Sequence, residues 1–235
     1  MEYLIIIILC IVAILILKVG MNIKLKDIKQ IKNIGSNEEL TEISNKFPEN
    51  KQICKDILKI LENEDVEIEE TKDEKSQTSL YLVMQNKILI ANIKDTFTRV
   101  QTIAHECIHS IQSKTLLKFN FIFSNFNNIY FLIICILALF NIVKVEVLNI
   151  LLAGLFLVQF IWFIVRSFLE TDAMTRAEYV SKEYIEKANT VSKEEASILV
   201  NQYKEINKIG IKLYNFVLAC QAVVKIIVYC ILVAL

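Results

Sequence analysis

Residues 104–112 read A-H-E-C-I-H-S-I-Q, and a stretch that starts seven positions later, residues 119–165, contains just two charged side chains. The first segment places two histidines four positions apart, a spacing that puts both on one face of a helix. The second is long enough to cross a lipid bilayer twice, since one crossing needs about 20 apolar residues. Together they predict a polar folded part that is joined directly to membrane-spanning helices.

The rest of the chain shows the same division into polar and apolar parts. Of its 235 residues 54% are hydrophobic and 22% are charged, and the charged residues concentrate in two blocks, residues 20–118 and 166–212. Apolar runs at residues 3–19 and 213–235 predict a first and a fourth span, in addition to the two spans within residues 119–165. No small-residue cleavage site follows the first run, which therefore predicts an uncleaved span rather than a signal peptide. We expect a multi-pass protein of the cell membrane.

Basic residues near the ends of the predicted spans indicate an orientation. Lysines and arginines follow the first and third spans and precede the second and fourth, whereas the opposite ends hold little beyond Lys144. Because short basic loops stay in the cytoplasm, both polar blocks are expected there. The formal net charge is +0 and no basic stripe alternates with aromatic residues, which argues against a nucleic-acid partner. The six cysteines form no C-x-x-C pair, which is consistent with a reducing compartment.

Periodicity within the polar blocks predicts an α+β, mainly helical fold. The predicted elements are helices within residues 38–63, a strand at 66–70, a charged loop at 71–77, a hairpin of residues 80–84 and 88–91 that turns at 85–87, and a helix at about residues 95–113. Asp95 or Thr96 is the expected N-cap of the last helix. We therefore expect helices and a small antiparallel sheet, integrated with about four transmembrane helices.

The helix at residues 95–113 carries the residues with metal chemistry. His105 and His109 are the only two histidines in the chain, and Glu106 directly follows the first. From one helical face both imidazoles can reach a single Zn²⁺ ion, and the glutamate can reach a water molecule on that ion. The plain alternative is two structural histidines, but chance rarely places the only two histidines at this spacing with a glutamate after the first. The motif predicts one Zn²⁺ per chain and Glu106 as the catalytic base.

A catalytic zinc usually has three protein ligands, and the third must here be a carboxylate or a cysteine because no third histidine exists. Cys107 lies two positions from each histidine and points away from their face. Glu170 is the better candidate, because two spans return the chain to the same side of the membrane just before it. Ala173 and Ala177 leave a small face beside it that would permit close helix packing. A solvated carboxylate at the membrane edge is the alternative for Glu170 taken alone.

These segments together resemble a known family. Residues 104–112, two spans, and then E-T-D-A-M-T-R-A at residues 170–177 are similar to the YugP-like membrane neutral zinc metallopeptidases, which show A-H-E-x-G-H-A-x-Q, a paired membrane stretch and E-x-D-A-x-x-x-A. The resemblance covers most of the chain. It implies a compact zincin-like metallopeptidase domain in which His105, His109 and Glu170 bind zinc and Glu106 is catalytic. Ile108 and Ser110 depart from the family pattern, which has glycine and alanine there, but neither change removes a ligand.

Other polar side chains allow more than one interpretation. Asp172 either orients a zinc-bound imidazole or forms a salt bridge with Arg176 four positions later. Arg176 or Tyr179 could stabilise an oxyanion, and the sequence favours neither. Lys225 lies inside the fourth predicted span, where it either has a function of its own or joins hydrogen bonds between spans.

The expected function is hydrolysis of peptide bonds at the cytoplasmic membrane face, in peptides or membrane-protein segments. The alternatives are a catalytically inactive zinc-binding membrane scaffold and an intramembrane metalloprotease; the polar character of residues 95–118 disfavours the latter. The exposed edge of the predicted hairpin is expected to lie beside the metal and to bind substrate backbone. Because Glu170 follows the third span so closely, we expect the zinc near the membrane surface.

Overall fold

The computed structural model describes residues 2–73, 76 and 78–235. The helices and strands within these residues are α1 (Glu2–Gly20), α2 (Leu25–Gly35), α3 (Glu38–Asn45), α4 (Asn50–Ile60), β1 (Glu67–Glu70), β2 (Leu80–Leu82), β3 (Lys87–Ile90), α5 (Arg99–Ile111), α6 (Lys114–Leu139), α7 (Val145–Ala188) and α8 (Lys193–Ala234). The protein is mostly helical and has one small sheet, as the sequence predicted. Part of the loop predicted at residues 71–77 lies outside the described residues, because 74, 75 and 77 are not among them.

Four helices of the described residues are long and apolar enough to cross a membrane: α1, α6, α7 and α8. This number agrees with the sequence prediction. Helices α7 and α8 have 44 and 42 residues and therefore continue far beyond their apolar runs. The turn before α7 occupies residues 140–144, and Asn141 adopts a φ of 48° there, a left-handed conformation that asparagine tolerates. The connection between α6 and α7 is therefore short, and α7 already includes Glu146 and Asn149.

The chain divides into two compact units. The first unit contains Met1–Ile23, Phe119–Phe168 and Lys212–Leu235, and its interior includes Ile134, Leu155 and Tyr229. Many of its outward side chains are large and apolar, for example Leu132, Ile150 and Phe160. An exposed apolar surface of this kind suits contact with lipid.

The second unit, Lys24–Lys118 and Leu169–Ile211, contains the sheet, whose strand order is β1-β3-β2. Strand β2 pairs antiparallel with β3, as the predicted hairpin requires, but β1 pairs parallel with β3. The expectation of an antiparallel sheet was therefore wrong for β1. Strand β3 therefore lies between the other two strands, parallel to β1 and antiparallel to β2. Ile88 and Ile90 of this central strand are fully buried.

Buried polar contacts hold the start of α5 against its neighbours. Arg99 is 1% exposed, and its guanidinium donates to Asn50 Oδ1 at 2.9 Å and to the Pro48 carbonyl. The helix begins at Arg99, later than the predicted Asp95 or Thr96. The reason is local: the Thr96 hydroxyl donates to the Ile93 carbonyl at 2.8 Å, which forms a turn instead of a helix cap.

Candidate metal centre

Helix α5 presents His105 and His109 on one face. Their Nε2 atoms lie 3.1 Å apart, and the two rings meet edge to face with centroids 4.6 Å apart and an angle of 89°. His109 is 9% exposed, whereas His105 is partly exposed. Both imidazoles thus turn the same nitrogen toward one point, as a shared ligand position requires.

Glu170 of α7 supplies the third atom of this group. Its Oε2 lies 3.4 Å from His105 Nε2 and 3.8 Å from His109 Nε2, and the residue is 8% exposed. A point equidistant from three atoms at these separations is about 2.0 Å from each, and nitrogen and oxygen ligands bind zinc at about 2.0–2.2 Å. The three side chains therefore fit a metal ion and form a group that could hold one.

Two alanines allow α7 to approach α5. Ala173 and Ala177 follow Glu170 at helical spacing, are fully buried, and belong to the same core cluster as Ala104 and Ile108 of α5. Small side chains permit the close contact between helices that this cluster requires. Both alanines are buried, as a small packing face requires, and close contact of this face with α5 stays a prediction. The core accommodates the bulkier Ile108.

Gln112 links helices α5 and α7 and fixes the tautomer of His109. The amide nitrogen of Gln112 donates to the Leu169 carbonyl at 2.9 Å and to Asp172 Oδ2 at 2.7 Å. Because the amide nitrogen of Gln112 donates to two acceptors, its amide oxygen is the atom that faces His109 Nδ1, at 2.8 Å. Nδ1 must therefore carry a proton and donate it. In the neutral ring Nε2 then carries a free lone pair, and this tautomer can bind a metal through Nε2.

Asp172 makes contacts that correspond to both alternatives from the sequence analysis. Its carboxylate accepts from Gln112, and it also lies 3.6 Å from the Arg176 guanidinium. It reaches His109 through the Gln112 amide, so of the two alternatives the salt bridge to Arg176 is direct and the orientation of the imidazole is indirect. Gln112 itself was not predicted in this role. The available signal was its position three residues after His109, on the same helical face.

Glu106 lies beside the three candidate ligands, but its carboxylate is hydrogen-bonded to the backbone of strand β2. It is 6% exposed, and its Oε2 accepts a hydrogen bond of 2.7 Å from the Tyr81 amide of strand β2. Burial raises the pKa of Glu106, whereas the nearby charges of His105 and His109 and the Tyr81 hydrogen bond act to lower it. The carboxyl group therefore holds a proton more readily than an ordinary glutamate does.

The pKa of His109 is raised by its neighbours. Burial alone would lower it, but the nearby carboxylates of Glu170 and Glu106 raise it by more. A proton on Nε2 would thus compete with a metal ion for the same lone pair.

Three residues of the sequence analysis lie away from this group or make other contacts. Cys107 is fully buried on the opposite face, with its Sγ 3.7 Å from Cys54 Sγ, so its exclusion as a ligand is supported. Arg176 faces Asp172, and Tyr179 is 67% exposed. An oxyanion role for Arg176 or Tyr179 stays a prediction.

Comparison with known proteins gave no match to any protein-family model, curated protein or solved structure.

Proposed function

We propose that this chain is a membrane-integrated zinc peptidase with a zincin-like polar domain, in line with its resemblance to the YugP-like family. One observation carries the proposal: His105, His109 and Glu170 converge from two helices at separations of 3.1–3.8 Å, and Glu106 follows the first histidine. Two imidazoles and one carboxylate are a common ligand set of hydrolytic zinc sites. The residues fit zinc better than magnesium or calcium, which prefer oxygen ligands alone.

When bound, zinc would supply a Lewis acid for the scissile carbonyl and would lower the pKa of water toward about 7. Glu106 would accept the proton of the attacking water and later donate it to the leaving amine, because it follows His105 on the same helix and has a raised pKa. Gln112 would keep His109 in the tautomer with a free Nε2. Asp172 would hold the Gln112 amide in turn.

Strand β2 offers a position for the substrate backbone. It is an outer strand of the sheet, and its Tyr81 amide lies 2.7 Å from Glu106 Oε2, so the strand edge lies beside the site as expected. A peptide added to this edge could donate a hydrogen bond to the Tyr81 carbonyl without any movement of Glu106. Bonding to the Tyr81 amide would require Glu106 to release it first. Substrate addition and the movement of Glu106 toward water would then occur together.

The four membrane-length helices and the flanking lysines and arginines favour a cytoplasmic location of the polar residues. We therefore propose peptides or segments of membrane proteins as substrates. Helix α5 has only 13 residues and is not among the candidate spans of the described residues. This length favours a site outside the hydrocarbon over an intramembrane metalloprotease.

The test uses the full chain purified in detergent and two matched substitutions. Wild-type protein should contain about one zinc per chain and should cleave a denatured or membrane-anchored test protein. Glu106→Gln should retain the metal but lose cleavage, because an amide cannot accept the proton. His109→Ala should lose the metal.

Each outcome separates one of the alternatives. Metal binding by wild-type protein without any cleavage across a broad substrate panel would support the inactive scaffold. Full zinc content in His109→Ala would refute the assignment of the ligands. Undiminished cleavage by Glu106→Gln would mean that another group is the base.

A further inference from the structure

Lys225 of helix α8 is partly buried among the apolar helices of the first unit. Its ammonium group donates to Asn128 Oδ1 at 2.8 Å and to Asn127 Oδ1 at 3.3 Å on α6. The same group lies 5.5 Å from the centre of the Phe131 ring and 5.9 Å from that of Trp162. A charged side chain at such a position is costly in lipid and is normally compensated.

The neighbours of Lys225 provide hydrogen bonds but no negative charge. Asn127 is almost fully buried and exchanges hydrogen bonds with Gln159 of α7, one of them 2.6 Å long. Within the apolar runs of the four spans the only acidic residue is Glu146, in the first turn of α7. Among the described residues no carboxylate forms an ion pair with Lys225. The cation therefore has amide and aromatic partners and no counter-ion in the part of the chain that the structure describes.

Lys225 lies well inside the apolar run of α8. It follows Lys212 by 13 helical residues, which correspond to about 20 Å along the helix. An extended lysine side chain reaches only about 6 Å. A carboxylate of a neighbouring helix at the same depth would compensate the charge directly.

The polar group around Lys225 reaches the outer surface of the unit. Asn128 is exposed, and so is Gln221, which precedes Lys225 by one helical turn on the same face of α8. We propose that this face binds a transmembrane helix of a partner protein that carries an aspartate or glutamate within its own apolar run. The partner's carboxylate would pair with Lys225, and Asn128 and Gln221 would offer hydrogen bonds beside it. This proposal does not depend on the peptidase activity.

Trp162 permits a direct measurement, because it is the only tryptophan in the chain and lies beside Lys225. The full chain with the Glu106→Gln substitution, which prevents cleavage of the probe, is placed in phosphatidylcholine vesicles at pH 8. The probe is a designed leucine–alanine transmembrane peptide with one central glutamate, a dansyl acceptor next to it and no tryptophan. Energy transfer from Trp162 to dansyl reports docking.

We expect saturable transfer with the glutamate peptide and at least tenfold weaker binding of a peptide with glutamine instead. Lys225→Arg should retain the preference for glutamate, and Lys225→Met should lose it. Lys18→Met, which removes a lysine at the end of α1, is the matched control and should bind like the parent chain. The glutamine peptide tests the charge without any change to the protein, so a misfolded variant cannot decide the outcome.

Three results would overturn the proposal. Equal transfer with the glutamate and glutamine peptides, or unchanged preference in Lys225→Met, would show that the cluster only joins α6, α7 and α8 to each other. A change in Trp162 fluorescence that depends on Lys225 and on added phosphatidylglycerol, without any response to the glutamate peptide, would assign the site to a lipid phosphate instead.

Discussion

The replacement of Gln112 by methionine tests the link between the two helices of the candidate site. Methionine has a similar size but removes the hydrogen bonds to His109, Leu169 and Asp172, which are 2.7–2.9 Å long. Loss of a partner that orients a metal-bound histidine typically lowers metal affinity by about 10–100-fold. This range corresponds to about 1.4–2.7 kcal/mol of binding free energy. The Leu169 carbonyl lies within α7 and Asp172 keeps Arg176, so we expect only about 1–3 kcal/mol less stability of the metal-free protein.

Competition with a chromophoric zinc chelator measures the affinity, and thermal unfolding followed by circular dichroism reports the stability of the metal-free protein. Gln52→Met is the matched control, because the Gln52 amide also donates to an aspartate, Asp56, at 2.8 Å but at an exposed position. It should change neither quantity. Zinc affinity of Gln112→Met within a factor of two of wild type would refute the inferred role of the amide in orienting His109.

Three further predictions concern the metal centre. Glu170→Ala should lower zinc content well below one per chain while the fold persists, as measured by elemental analysis beside circular dichroism; full occupancy would remove Glu170 from the ligand set. Ala177→Leu should overpack the contact between α5 and α7 and lower the free energy of unfolding by about 1–3 kcal/mol, and an unchanged melting curve would contradict this packing. Zinc affinity should fall as the pH is lowered through the pKa of His109. Because Glu106 and Glu170 raise that pKa, proton competition should begin at a higher pH than for an ordinary histidine, and a flat profile from pH 8 to 5.5 in chelator competition would contradict this.

Features that depend on helical spacing or on apolar length were predictable from the sequence. The convergence of His105 and His109 follows from their separation of four residues, since helix geometry fixes which positions share a face. The number of membrane-length helices follows from the apolar runs. Glu170 could be predicted because an even number of crossings returns the chain to the side where it started.

Features that depend on tertiary contacts were not predictable in the same way. The parallel pairing of β1 with β3 joins segments that are not neighbours in sequence, whereas the hairpin of β2 and β3 is local. Asp172 lies about 200° around the helix from Glu170, so the two side chains do not share a face. Asp172 is linked to the site nevertheless, because the long side chain of Gln112 reaches it from the other helix.

Ser110 shows how one change on α5 restricts a distant position. Its hydroxyl donates to the Cys107 carbonyl at 2.6 Å and accepts from Asn63 Nδ2 at 2.8 Å. Ser110 itself is 2% exposed. A chain with alanine at this position would leave the half-buried Asn63 amide with only the backbone carbonyl of residue 110, at 3.4 Å, of these two acceptors. Asparagine at position 63 should therefore be less frequent in chains that carry alanine at position 110. Sequences related to this chain can be sorted by that pair alone, before any of their metal ligands are compared.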